Sequence, residues 1–182
     1  MSTHAVVLPP EQHVIVFGVD PGLTAGYGVL RWDGREATAV DWGSVTTTPG
    51  HGAIDTRVTF ILERLRIVAR VHPPTGVAVE GWGFYKDRSP KDAFSVGLVA
   101  GGALCGLGAP GVIVGTAQEW HQAIGLHGSA DKKDVQGYLQ RVFRMPKPPT
   151  PTHAADALGV ALASLPRILA AVKTRARSGS SR

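Results

Sequence analysis

The chain has 182 residues, enough for one domain with a single buried core. A hydrophobic share of 43% beside 18% charged residues excludes a disordered or fibrous chain over most of that length. The formal charge of +5 favours an anionic partner, but Lys173, Arg175, Arg177 and Arg182 supply most of the excess from the last stretch, so charge alone identifies no function.

Residues 1–12 lack a basic stretch leading into an apolar run, so a loose leader is expected there and not a secretion signal. His13 to Asp20 is an apolar, β-branched run stopped by Pro21-Gly22, which predicts a strand entering a turn. Further strands are predicted at Ala25 to Trp32 and Ala37 to Thr47, and the short connections make the three an antiparallel meander. Ile54, Val58, Ile61, Leu62, Leu65 and Val68 recur at helical spacing within Gly52 to Val71. Pro73-Pro74 ends that helix, and Gly76 to Glu80 reads as a buried strand. A loop, GWGFYKDRSP, leads to a helix from Lys91 to Gly106 and a strand from Gly111 to Val114. Helices follow at Ala117 to Ile124 and Ala130 to Phe143. After the prolines at 146, 148, 149 and 151 a last helix runs from Thr152 to Val172.

This order predicts an α/β fold, a mixed five-stranded sheet with its first three strands antiparallel and helices on both faces. It is the arrangement a ribonuclease-H-like fold requires. The folded domain is expected over residues 13–173, with a basic, flexible tail at 174–182. Cys105 has no partner for a disulfide and is expected to be a small buried hydrophobe in a protein of a reducing compartment, the cytoplasm. No segment is expected to span a membrane.

Three carboxylates stand where charge is costly. Asp20 ends an apolar strand expected at the sheet centre, and Glu80 ends another after Val77-Ala78-Val79. Asp156 lies in THAADALGVALA, where Ala154, Ala155, Ala157 and Gly159 let a helix backbone approach the sheet. His153, three residues earlier, shares its face. Each has an ordinary reading: Asp20 as the start of an Asp-Pro-Gly turn, Glu80 as a solvated strand end, Asp156 as a helix-start acid. Their conjunction points further, because three carboxylates that converge need cations. Hard oxygen ligands suit Mg²⁺ or Mn²⁺, two of which can hydrolyse a phosphodiester. Paired cysteines and an HExxH motif, the usual signs of zinc, are absent from the sequence.

Four blocks in order carry a resemblance: Gly18-Val-Asp-Pro-Gly22 with Thr24-Ala-Gly-Tyr-Gly-Val29, then Val77-Ala-Val-Glu80, Gly128-Ser-Ala-Asp-Lys-Lys-Asp-Val-Gln136, and His153-Ala-Ala-Asp-Ala-Leu158. Together they resemble the RuvC-type Holliday-junction resolvases of the ribonuclease-H-like superfamily. The resemblance implies a two-metal site of Asp20, Glu80, His153 and Asp156, with Lys132 acting on the phosphate of the scissile strand and Lys133 beside it. It implies four-way DNA as substrate, paired symmetric nicks and a homodimer joined through the apolar helix that holds Gly101 and Gly102. His121 stands where the family often has a second lysine. The loop after Glu80 reads as about two residues longer than in relatives. It offers Trp82 or Phe84 (Phe84 preferred) as an aromatic wedge, with Tyr85, Lys86 and Arg88 also facing DNA. The competing readings are a broader branched-DNA nuclease, a DNA-binding module without catalysis, and a nucleotide-binding ATPase suggested by Asp20-Pro-Gly22. The last needs a second lobe for which this chain is too short.

Overall fold

Strand β1 (Val14–Asp20) is the middle of a five-stranded sheet and alternates its side chains between two cores. The computed structural model describes residues 13–81 and 89–179, with side chains to residue 175. The strands β2 (Thr24–Trp32) and β3 (Ala37–Thr46) continue antiparallel from one edge of β1. On its other edge β4 (Gly76–Val79) and then β5 (Gly111–Ile113) run parallel to it, giving the order β3-β2-β1-β4-β5. The mixed five-stranded sheet expected from the sequence is therefore present.

Val14 and Val16 of β1, Leu30 of β2 and Ala78 of β4 face one layer of helices, α3 (Ala117–Ala123), α4 (Lys132–Val142) and α5 (Thr152–Gly179). Phe17, Val19, Val29, Val77 and Val79 face the other layer, α1 (Ile54–Val71) and α2 (Pro90–Gly106). Helix α1 starts at Ile54 and not at Gly52, because Pro49–His51 closes a single 3-10 turn and Gly52 has φ 99°, outside the helical region. Helix α4 begins at Lys132 and not at Ala130, because the Asp131 side chain accepts from the Lys133 and Asp134 backbone N–H groups and fixes the start.

Two expectations need correction. Cys105 is exposed, not buried. Helix α2 is apolar on both sides, yet only Ser95, Val96, Val99, Ala100 and Ala103 are buried; Phe94, Leu98, Gly101 and Cys105 form an outward stripe one helical turn apart. Helix α5 continues to Gly179 instead of stopping at Val172. By length and composition alone, Thr152–Arg175 of α5 is apolar enough to cross a membrane. Over half of that stretch is buried inside the domain, however, as the core helix over β1 and β2.

Candidate active site

Strand pleat decides which side chains meet. Asp20 lies two and four residues beyond Gly18 and Val16, so it faces α5; Glu80 lies two beyond Ala78 and faces the same way. Parallel pairing sets Gly18 against Ala78 and Val19 against Val79, and the Glu80 N–H donates to the Val19 carbonyl (3.0 Å). The two acids thus leave neighbouring strands side by side at the same end of the sheet.

Helix α5 brings the third acid because the strands beneath it have no side chains in its way. A Cβ on Gly26 would overlap the His153 carbonyl, one on Gly18 would overlap the Ala157 carbonyl, and one on Gly28 would lie 2.7 Å from the Leu158 nitrogen. The helix backbone rests directly on these three glycines of β1 and β2. Its first turns deliver His153 and Asp156 beside Asp20, and the ligand atoms of all three lie within 4.8 Å of one another. The His153 Nδ1 pairs with Asp20 Oδ2 at 2.6 Å, and Lys132 pairs with Asp156 from the start of α4. Asp20, Glu80, His153, Asp156, Lys132 and His121 all line one cavity of about 570 Å³.

Charge in this cavity is crowded. Glu80 is pushed up to about 8, by burial first, then by the charge of Asp20 and the hydrogen bond to it, then by the charge of Asp156. Burial also raises Asp156, against the opposing pull of Lys132. His153 is raised by its hydrogen bond to Asp20, with burial opposing. Burial works against the Lys132 ammonium, but the bond to Asp156 and the surrounding carboxylates outweigh it and hold its pKa above the ordinary lysine range. Three acids and one imidazole, with a single lysine to answer them among the described residues, fit a hard divalent cation held through oxygen and one nitrogen.

His121 is buried (7% exposed) and not on the surface; its Nδ1 meets the Gly128 carbonyl at 3.2 Å and so ties down the loop that leads to Lys132. Glu119 lies away from the acids, its Oε2 capping α3 by accepting from the Thr116 N–H (2.7 Å) and hydroxyl. Lys133 points away from the carboxylates and lines a smaller hollow with His127 and Arg141. Trp82, Phe84, Tyr85, Lys86 and Arg88 lie outside the described residues. Sequence reasoning missed Trp120, which lines the cavity with a buried indole N–H that has no hydrogen-bond partner among the described residues. Such a group costs about 1–3 kcal/mol if left unpaired. Its signal in the sequence was weak, since one tryptophan on a short helix reads as core. The cap at Asp131, also missed, could have been found in the Asp131-Lys-Lys-Asp134 pattern.

A mixed sheet of this order, with acids converging at the carboxyl ends of its two central strands and on a crossing helix, defines a nuclease of the ribonuclease-H-like class. The family model for crossover junction endodeoxyribonuclease RuvC matches residues 16–164. The chain is 35% identical over 148 residues to crossover junction endodeoxyribonuclease RuvC of Synechococcus sp. (strain WH7803), covering 81% of this chain and 95% of that relative. It is similar to the solved structure of Thermus thermophilus RuvC, with a TM-score of 0.72 and 32% identity over 88% of this chain and 98% of the other. T. thermophilus RuvC in complex with a Holliday junction substrate matches with a TM-score of 0.70 and 30% identity, over 84% and 93% of the two chains. This chain belongs to the crossover junction endodeoxyribonuclease RuvC family. The nucleases of that family are metal-dependent, in keeping with the acidic cluster described above.

Proposed function

We propose that this protein is an endonuclease that resolves four-way DNA junctions by hydrolysing phosphodiester bonds, with Asp20, Glu80, His153 and Asp156 holding two Mg²⁺ or Mn²⁺ ions. The observation that carries the proposal is the convergence of those four side chains with Lys132 in one cavity, on the fold of a relative solved with a Holliday junction. When bound, the cations supply Lewis acidity, activating water and stabilising the leaving oxygen. The protein's own groups do the rest. Lys132, 60% exposed at its side chain, now answers the charge of Asp156 and is free to turn toward a phosphate oxygen, where a permanent cation stabilises developing charge. Asp20 fixes the His153 ring through Nδ1 and so sets which nitrogen faces the cavity. His121 acts behind Lys132 through the Gly128 loop, and Lys133 reaches DNA only outside the cavity.

The outward stripe of α2 supports a homodimer. Phe94 is 61% exposed and Leu98 38%, and a Cβ on Gly101 would meet nothing within 4 Å. A second copy packed there by two-fold symmetry would present two sites to a substrate of like symmetry, suited to paired nicks. Exposed Cys105 on the same stripe provides a direct probe: a short bismaleimide should link two copies in solution, whereas monomers by sedimentation and no linkage would exclude this interface.

The reading is tested by incubating the protein with Mg²⁺ or Mn²⁺ and four-way, three-way, flap and linear DNAs that share arms. Paired nicks confined to the four-way substrate are expected. Cutting spread over flaps and three-way forms would make it a broader branched-DNA nuclease, and binding without cutting under either metal would sink the catalytic assignment.

A further inference from the structure

Trp120 sits on α3 between two groups of the cavity. It is only 1% exposed, and its Nε1 is buried without a partner among the described residues. The ring cannot swing away to find one. On one side it fills the space above Gly159, where a Cβ would overlap it, one turn along α5 from Asp156. On another it meets the His121 ring edge-on at 4.1 Å, and His121 is itself held at the Gly128 carbonyl. The chain around Glu80 is tied to the same helix: the Gly81 N–H donates to the Gly115 carbonyl at 2.7 Å, just before Thr116 caps α3. Glu80 lines the same cavity, and the indole N–H lies near enough to favour its charged form yet falls short of a hydrogen bond.

We propose that Trp120 is a positioning residue for Glu80: its indole N–H donates to one carboxylate oxygen and leaves the other to the cation. The inference rests on the metal-site reading above. It follows from a donor that is rigid and otherwise unsatisfied, set beside a ligand that ends its strand and needs a second contact to define its rotamer. A metal-ligating carboxylate held by such a partner loses less freedom on binding.

The full chain carrying ¹⁵N-indole tryptophan tests it, with the Trp120 signal assigned by comparison with Trp120→Phe. Mg²⁺ is added while calorimetry follows its binding in parallel. The Trp120 indole proton should move downfield as Mg²⁺ saturates the wild type and stay put in Glu80→Gln. Replacing Trp120 with benzothienylalanine keeps the shape and removes the donor, and should weaken Mg²⁺ binding about tenfold with little change in Tm. An indole proton that does not move while calorimetry records bound Mg²⁺, or that moves equally in Glu80→Gln, overturns the role of Trp120 and leaves the metal site standing. Absence of Mg²⁺ and Mn²⁺ binding in the wild type overturns both readings together.

Discussion

On the face of the sheet under α1 and α2, Phe17, Val19, Val29, Val77 and Val79 meet Ile61, Leu65, Val99 and Ala103 through full-sized side chains. On the face under α5, the strands offer Gly18, Gly26 and Gly28 and the helix offers Ala154, Ala157 and Ala161, so backbone rests on backbone. The first arrangement yields burial and a helix layer at ordinary distance. The second brings the polar groups of a helix close to those of two strand ends. A site built from short aspartates needs that closeness, because their carboxylates reach little beyond their own backbone. The two faces should therefore fail differently when altered.

The largest effect is expected at the acids themselves. Asp20→Asn, Glu80→Gln or Asp156→Asn should each lower the cleavage rate by about 1,000-fold or more while junction binding is kept, as loss of charge stabilisation at the reacting phosphate predicts. Wild-type cutting by any one of them removes that residue from the site. Gly26→Ala probes the close face without touching a functional side chain. Its Cβ would press on the His153 carbonyl, so α5 must lift, and cleavage should fall by about 100-fold, as misplacement of about 1 Å predicts. Cutting within about threefold of wild type would show that the close contact does not govern the site.

Leu65→Ala is the counterpart on the other face. Leu65 is fully buried, and its truncation should cost about 2–4 kcal/mol of stability, read from denaturant melts. The cleavage rate at temperatures well below Tm should hold within about twofold, since nothing in the α5 layer moves. A large loss of rate in the still-folded variant would mean that the two faces are coupled.

The smallest effect concerns pH. Glu80, raised from 4.5 to about 8, takes up a proton on folding within that window. The metal-free protein should be most stable below it and lose stability as pH rises toward 8. His153, also raised, changes stability in the same direction. Glu80→Gln should flatten most of this slope in thermal melts from about pH 5 to about pH 8.5. An unchanged slope would place the repulsion elsewhere.

Much of this was legible without coordinates. Apolar, β-branched runs and proline punctuation placed all five strands, most plainly β1 and β4, whose burial on two sides leaves a continuous apolar run. Asp20, Glu80 and Asp156 stood out since a charge after a buried strand or inside an alanine-rich helix needs a reason. The errors came where one sequence feature has two uses. Helix α2 is apolar on both sides whether its second side meets the core or another chain, so Cys105 could not be placed. The alanines of α5 hinted at close approach, but its other half lies in the glycines of two strands far away in sequence.

The sequence by itself determined the strands, the existence and order of the helices, the family blocks and which carboxylates follow buried strands, all of which depend on local periodicity and residue chemistry. Only the tertiary structure decided that His121 is a buried tether and no surface group, that Lys132 and not Lys133 turns to Asp156, and that Trp120 lines the site. Those outcomes depend on which faces meet and how near they come. That is settled by packing among α3, α4, α5 and the sheet, which no single segment encodes.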